Sequence, residues 1–438
     1  MMKMTYKGSA KKILKKFQVD IWDIVQIVLD DGSTIRAVIL PGPETERFIY
    51  LKLENGYNVA YAVSRVRSIK KIGNLSPKYT LPKMKIVKKE SLPSLTLIHC
   101  GGTIASRVEY ATGAVAPAFS PEELSHAIPE IFDLADIRIV ELFNIFSENM
   151  RSEHWIKIAR TVVREFEQGA RGIVITHGTD TLHFTSSALA FMLENLPGPV
   201  ILTGAMRSSD RPASDAASNV IASVRFAVSA NIGESIVVMH GIPSDTVFYA
   251  YRGVRCIKLH SSRRDAFKSI GIPPVAIIDE ERYRIVARRY LKKKSVDELE
   301  VKPFFEKKTA LVYLYPNISP EIIDFLVDRR FRGIVLVGTG LGHAPEYIVN
   351  SIRRAIEEGV IVVMTTQCLW GGVFMNVYES GRKLLKIGVI PAHTMLPHVA
   401  YVKLGWLLGQ NIPNETVKEL FLKNLRLEFI ERESISAF

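Results

Sequence analysis

The sequence predicts an α/β protein: two doubly wound parallel-sheet units preceded by a small β-barrel. Three observations carry this reading. From residue 94 onward, short continuous apolar runs alternate with amphipathic helical patterns, as expected of parallel strands covered by helices on both faces. Before residue 74, five short β-rich runs are separated by turn signals with no long helix among them, the pattern of a small closed barrel. The charge is also uneven. The chain holds 57 Lys+Arg and 45 Asp+Glu, a net +12. Residues 1–90 hold 18 and 8 of these (+10), whereas residues 91–438 hold 39 and 37 (+2). A basic module on a near-neutral body points to a polyanionic partner.

Taken in order, residues 10–17 place Ala10, Ile13, Leu14 and Phe17 on one helical face and lysines on the other. The runs 24–29, 34–40 and 48–53 follow, bounded by Asp31-Gly32-Ser33, Pro41-Gly42-Pro43 and Glu54-Asn55-Gly56. Asn55-Gly56 is a hairpin signal because both residues tolerate positive φ, so 57–63 returns as a strand and 66–72 completes the barrel of a first domain, 1–73. Residues 74–93 hold three prolines and five lysines with little periodicity and read as a basic linker. The first α/β domain, 94–290, has strands at 95–99, 172–176, 200–203 and 235–239, with helices at 156–168 and 185–193. A polar stretch, 290–308, leads to the second, 309–438, with strands at 311–315, 333–337 and 360–365 and a helix at 345–358. No run approaches the roughly 18 apolar residues of a membrane span. Residues 1–17 carry six lysines without the apolar stretch of a secretory signal. Three cysteines, Cys100, Cys256 and Cys368, form neither a disulfide framework nor a CxxC metal pair. A cytoplasmic protein without membrane contact is expected.

In open parallel sheets, ligands bind beyond the carboxyl ends of the strands. The first such loop is His99-Cys100-Gly101-Gly102-Thr103-Ile104-Ala105, where two glycines deliver a threonine hydroxyl to the strand end. The loop after 172–176 is His177-Gly178-Thr179-Asp180-Thr181, a second hydroxyl beside a carboxylate. Threonine is a usable covalent nucleophile when a base or charged neighbour activates it, so two hydroxyls and an acid at adjacent strand ends suit acyl transfer. Each loop alone has a plainer reading: a structural glycine turn in the first, and in the second a helix cap by Asp180 or Thr181. The run Gly338-Thr339-Gly340-Leu341-Gly342 imitates a dinucleotide fingerprint, but its spacing is GxGxG and the next strand ends without the ribose-binding acid. No metal, phosphoryl-transfer or serine-elbow motif occurs.

CGGTIAS (100–106) followed by HGTDTL (177–182) resembles the bacterial-type L-asparaginases, and further segments follow in that family's order over 94–438. VEYATGAV carries Tyr110 at the place of the active-loop tyrosine. FNIFSENM places Ser147 and Glu148 at two substrate contacts. TGAMR (203–207) and ASDAASN, with Asp215 and Asn219, match a further block, and Lys258 falls at the catalytic lysine. The resemblance implies an asparaginase-like two-domain fold with Thr103 as the acylated nucleophile and Tyr110 assisting. Thr179, Asp180 and Lys258 form a second cluster, with Asp180 also engaging the substrate's α-ammonium group. Ser147, Glu148 and Gly102 bind substrate, and backbone N–H groups near Gly102 and Thr179 receive the oxyanion. The implied reaction is amide hydrolysis through an acyl-enzyme, releasing ammonia, with no metal and no cofactor in this chain. Cys100 replaces the family's usual Thr as a small buried residue, and His343 stands where a substrate-contacting Asn is common.

The barrel and basic linker ahead of such a body resemble one branch specifically, the D subunits of archaeal glutamyl-tRNA(Gln) amidotransferases. That resemblance implies hydrolysis of glutamine or asparagine here and passage of ammonia to a partner E subunit. The partner would use ATP and Mg to amidate glutamate carried on tRNA(Gln). A homodimer within a heterotetramer is implied, with the basic module touching either tRNA or the partner. Two alternatives stay open: a free L-asparaginase or glutaminase whose barrel serves oligomerisation, and a non-catalytic binding protein on the same fold.

Overall fold

The computed structural model describes residues 6–41, 46–54, 58–74, 91–102, 106–109, 114–117, 128–207, 213–279 and 282–431. The turn at Asn55-Gly56, most of the linker, and the candidates Thr103 and Tyr110 lie outside them. The chain divides into two compact units, residues 1–85 with 106–118, and residues 86–105 with 119–438.

In the first unit, α1 (Gly8–Lys16) turns Ala10 and Leu14 into the core and leaves Lys11, Lys12, Lys15 and Lys16 in water. Strands β1 (Asp23–Leu29), β2 (Thr34–Ile39), β3 (Phe48–Leu53), β4 (Asn58–Ala62) and β5 (Val66–Asn74) form one antiparallel sheet in the order β4-β3-β2-β1-β5. The first and last strands of that order are joined only by the 3-10 turn Val63–Arg65. Four inter-strand spacings of a flat sheet would put those edges about 19 Å apart. Three connecting residues cannot reach that far, so the sheet rolls up on itself. Register shifts in β5 opposite β1 help it bend. The roll is the expected barrel, although no ladder among the described residues pairs β4 with β5. Tyr6 ties the chain ahead of α1 to it, its hydroxyl donating to Leu40 O at 2.6 Å and accepting from Tyr50 N at 3.0 Å.

The second unit is built on an eight-stranded sheet. Five strands are parallel: Asp136–Ile145, Ser94–Gly101, Ile173–Thr176, Val200–Thr203 and Ser235–His240. Three more, Phe248–Arg252, Ala276–Ile278 and Tyr283–Ile285, extend one edge antiparallel. The doubly wound core therefore stands as expected, with a mixed edge added to it. Helix Ser152–Glu167 buries Trp155, Ile158, Ala159, Val162 and Phe166 on one stripe, while helix Ala216–Ser229 covers the opposite face of the sheet. A second sheet, wholly parallel, comprises Thr309–Tyr313, Gly333–Gly338, Ile361–Thr366 and Ile390–Pro391.

Helices Leu182–Met192 and Pro397–Gly409 join the two sheets and are buried on nearly every side. Phe191 stacks on Trp406 between them, with ring centroids 5.7 Å apart. Lys403 is fully buried within this apolar layer. Its ammonium donates to Phe421 O at 2.8 Å and to the Glu428 carboxylate at 2.5 Å. Burial pulls its pKa down and the Glu428 charge opposes that, so the pair ties the C-terminal segment to the joining helix. No helix among the described residues is long and apolar enough to cross a membrane.

Candidate active site

Strands Ser94–Gly101 and Ile173–Thr176 are parallel neighbours with His99 opposite Thr176, so both hydroxyl-bearing loops leave the same edge of the sheet. Gly102 has φ +90, and a Cβ there would lie 2.4 Å from Gly178 N and 2.7 Å from His177 C. Only glycine fits the backbone against the facing loop so closely. A Cβ at Gly178 would in turn lie 2.7 Å from Ser147 Cβ. Ser147 opens the 3-10 turn Ser147–Asn149, just past strand Asp136–Ile145, and its carbonyl accepts from Thr181 Oγ1 at 2.7 Å. The Thr181 hydroxyl is thus spent on the site, and Thr181, at the N-cap of the helix Leu182–Met192, makes no side-chain capping hydrogen bond, so the plainer cap reading does not hold for it. Glu148, beside Ser147, is exposed to solvent.

Lys258, at the end of strand Cys256–Lys258, closes the cluster. Its Nζ donates to Thr179 Oγ1 at 2.8 Å and to Asp180 Oδ1 at 2.6 Å. The lysine side chain is 9% exposed and that of Asp180 69%, so an almost buried cation is neutralised by a carboxylate that still faces solvent. Because the lysine supplies the proton at Thr179 Oγ1, the Thr179 hydroxyl proton is free to point elsewhere. A hydroxyl polarised in this way can exchange a proton with a reacting group, and the flanking carboxylate can hold a cationic substrate group. Thr103 and Tyr110 lie outside the described residues. The structure thus brings Gly102, Ser147, Thr179, Asp180 and Lys258 together, with Glu148 at the rim.

Two supports come from residues that the sequence marks only by motif, or not at all. Asp215 is fully buried and accepts from Met206 N at 3.0 Å and Arg207 N at 2.9 Å. Asn219 donates to Asp215 at 3.1 Å and to Gly204 O at 2.9 Å, and its oxygen faces His240 Nδ1 at 2.7 Å. This network fixes the loop after strand Val200–Thr203. His177, distinguished in the sequence by nothing but its place before Gly178, is wholly buried, with Nδ1 2.7 Å from Gly178 O and Nε2 2.9 Å from Thr185 Oγ1. Cys100 is buried and burial raises its thiol pKa, which leaves it inert packing as expected. The loop 338–342 closes on itself, with Thr339 N donating to His343 O at 3.1 Å. His343 Nδ1 lies 3.0 Å from Ser380 Oγ. Among the described residues no group of three His, Cys, Asp or Glu side chains could hold a metal ion.

Burial pushes His99, His177 and His183 down from 6.5 to about 4, the Lys258 charge adding to the effect at His183. Each binds a proton more readily unfolded than folded. The stability they protect is therefore complete above about pH 6.5 and is lost as pH falls toward 4, at about 3 kcal/mol per histidine. The melting temperature should begin to fall steeply just below pH 6.5. A melting temperature flat from pH 6.5 to 5 would contradict this.

Three family models match the chain. Residues 94–290 match the asparaginase N-terminal domain, 308–421 the glutaminase/asparaginase C-terminal domain, and 19–72 the GatD N-terminal domain. The D subunit of the glutamyl-tRNA(Gln) amidotransferase of Pyrococcus abyssi is 49% identical over 94% of this chain and 95% of its own length. That of Methanothermobacter thermautotrophicus is 45% identical over 99% of this chain and all of its own length. Among solved structures, the thermostable L-asparaginase of Thermococcus kodakarensis is 32% identical with a TM-score of 0.68, over 77% of this chain and 99% of that one. L-asparaginase I of Vibrio cholerae is 30% identical with the same TM-score and coverage.

Proposed function

Since the chain belongs to the D-subunit family of glutamyl-tRNA(Gln) amidotransferases, with the asparaginase fold as its body, we propose how its site performs the family's task. The chain is the glutaminase subunit of a tRNA-dependent amidotransferase. It is an amidohydrolase that frees ammonia so that glutamate on tRNA(Gln) becomes glutamine. The observation that carries the site reading is the Lys258–Thr179–Asp180 cluster, held against the glycine loop that leads into Thr103.

In this reading the Thr103 hydroxyl oxygen adds to the side-chain amide carbon of glutamine, and its proton passes to the leaving nitrogen. The C–N bond breaks, ammonia departs, and water cleaves the Thr103 ester to release glutamate and restore the hydroxyl. Tyr110 assists the first proton transfer, and Thr179, polarised by Lys258, serves the second. Backbone N–H groups at Gly102 and Thr179 receive the oxyanion. Asp180, solvent-facing and already beside a cation, takes the substrate's α-ammonium group, while Ser147 and Glu148 bound the same pocket. The chain itself uses no cofactor. ATP and Mg belong to the partner E subunit, which receives the ammonia, and the assembly is a homodimer within a heterotetramer. A cytoplasmic setting is supported by three cysteines that are all free. The lysines of α1 offer a surface for the partner or for tRNA.

The test is glutamine hydrolysis by the chain alone, with the partner, and with partner and glutamate-charged tRNA. Ammonia release should be low for the chain alone and rise when both are added. Strong hydrolysis indifferent to both would make the chain a free glutaminase or asparaginase.

A further inference from the structure

Behind the Gly178–Thr179 peptide stands a chain of three buried side chains that the reaction above does not employ. Trp155 Nε1 donates to Thr185 Oγ1 at 3.0 Å, Thr185 Oγ1 lies 2.9 Å from His177 Nε2, and His177 Nδ1 lies 2.7 Å from Gly178 O. The chemistry of the groups fixes every proton. A carbonyl only accepts, so His177 Nδ1 carries hydrogen. Burial lowers the ring's pKa to about 4, so it carries only one, and Nε2 is an acceptor. The Thr185 hydroxyl already accepts from the indole and gives its single proton to Nε2. The chain therefore runs in one direction, from Trp155 through Thr185 and His177 to Gly178 O.

Gly178 C=O and Thr179 N–H belong to one peptide plane, and no peptide bond among the described residues is cis. In a trans peptide the two groups point in opposite directions. Holding the carbonyl inward on a fully buried imidazole aims the Thr179 N–H outward, to the side of the peptide away from His177. That N–H finds no acceptor among the described residues, although Thr179 is only 6% exposed. An amide in so buried a residue, with no acceptor among the described residues, calls for one.

We propose that His177 is a positioning residue for amide hydrolysis. Through Gly178 O it holds the Thr179 N–H as a preformed donor to the oxyanion, and Thr185 and Trp155 lock the tautomer this requires. The inference rests on the amide-hydrolysis reading of the same site.

The test is steady-state glutamine hydrolysis by the chain assembled with its partner and charged tRNA. His177→Asn keeps an N–H at the δ position and should hold kcat within about tenfold of the parent. His177→Gln shifts the amide to the ε position and leaves Gly178 O unheld. Its kcat should fall by about 10², the low end of the loss of an oxyanion donor, with KM unchanged. Thr185→Val should lower kcat in the same way and Thr185→Ser should restore it, which decides the matter if a His177 variant fails to fold. Equal kcat for the Asn and Gln variants, or for the Val and Ser variants, would overturn the role of His177 while leaving the hydrolytic reading intact. A parent that releases no ammonia from glutamine would instead reject that reading itself.

Discussion

Replacing Thr103 by alanine should abolish ammonia release while leaving the fold unchanged. The covalent step needs an oxygen at this position, and no water held by the remaining groups substitutes for it at a comparable rate. Loss of a nucleophile in a concerted site lowers kcat by at least about 10³. The fold should survive because the described packing of this loop, up to Gly102, is made by backbone. Gly102 lies against Gly178 and His177, and a Thr→Ala change alters neither the glycines nor the strand Ser94–Gly101 behind them. Ammonia release measured alongside circular dichroism separates the two effects. Thr103→Ser, which keeps a hydroxyl, should retain part of the rate. Substantial hydrolysis by the alanine variant would reject Thr103 and turn attention to Thr179, whose hydroxyl already carries an ammonium partner.

The legible part of this protein is the part written in local pattern. Strands Ile173–Thr176 and Val200–Thr203 are buried at every residue, and their uninterrupted apolar runs mark them. The loops that follow such strands carry the candidate chemistry, and position in the sheet is what makes HGTD more than a turn. Strand Asp136–Ile145 leaves no clear signal because it lies at the sheet edge, where buried and half-exposed residues mix without a clean period. The antiparallel edge strands Ala276–Ile278 and Tyr283–Ile285 are too short for any period to show. Long-range pairing is illegible for a different reason. Lys403 sits in an otherwise apolar helix, and its justification, Glu428, lies 25 residues further on. His177 depends on Thr185 from the next helix and on Trp155 from the preceding one. Composition reports none of these partnerships, since each exists only once two elements have packed.

The Lys258–Thr179 contact yields the second large effect. Lys258→Met removes the ammonium and keeps an apolar stem in a nearly buried place, while Thr179→Val removes the hydroxyl at almost constant volume. Each should lower kcat for glutamine hydrolysis by about 10²–10³, within the range of a positioned proton-transfer group. The double variant should be no worse than the more damaged single one, because the lysine has no task at the reacting centre except through the hydroxyl it contacts at 2.8 Å. Lys258→Arg should not restore the rate. A planar, bulkier guanidinium does not put a donor at the point beside Thr179 Oγ1 that the compact ammonium occupies. Multiplying losses in the double variant would mean that the two residues act on the substrate separately. Full activity in either single variant would remove the pair from the mechanism and leave Lys258 as the counter-ion of Asp180 alone.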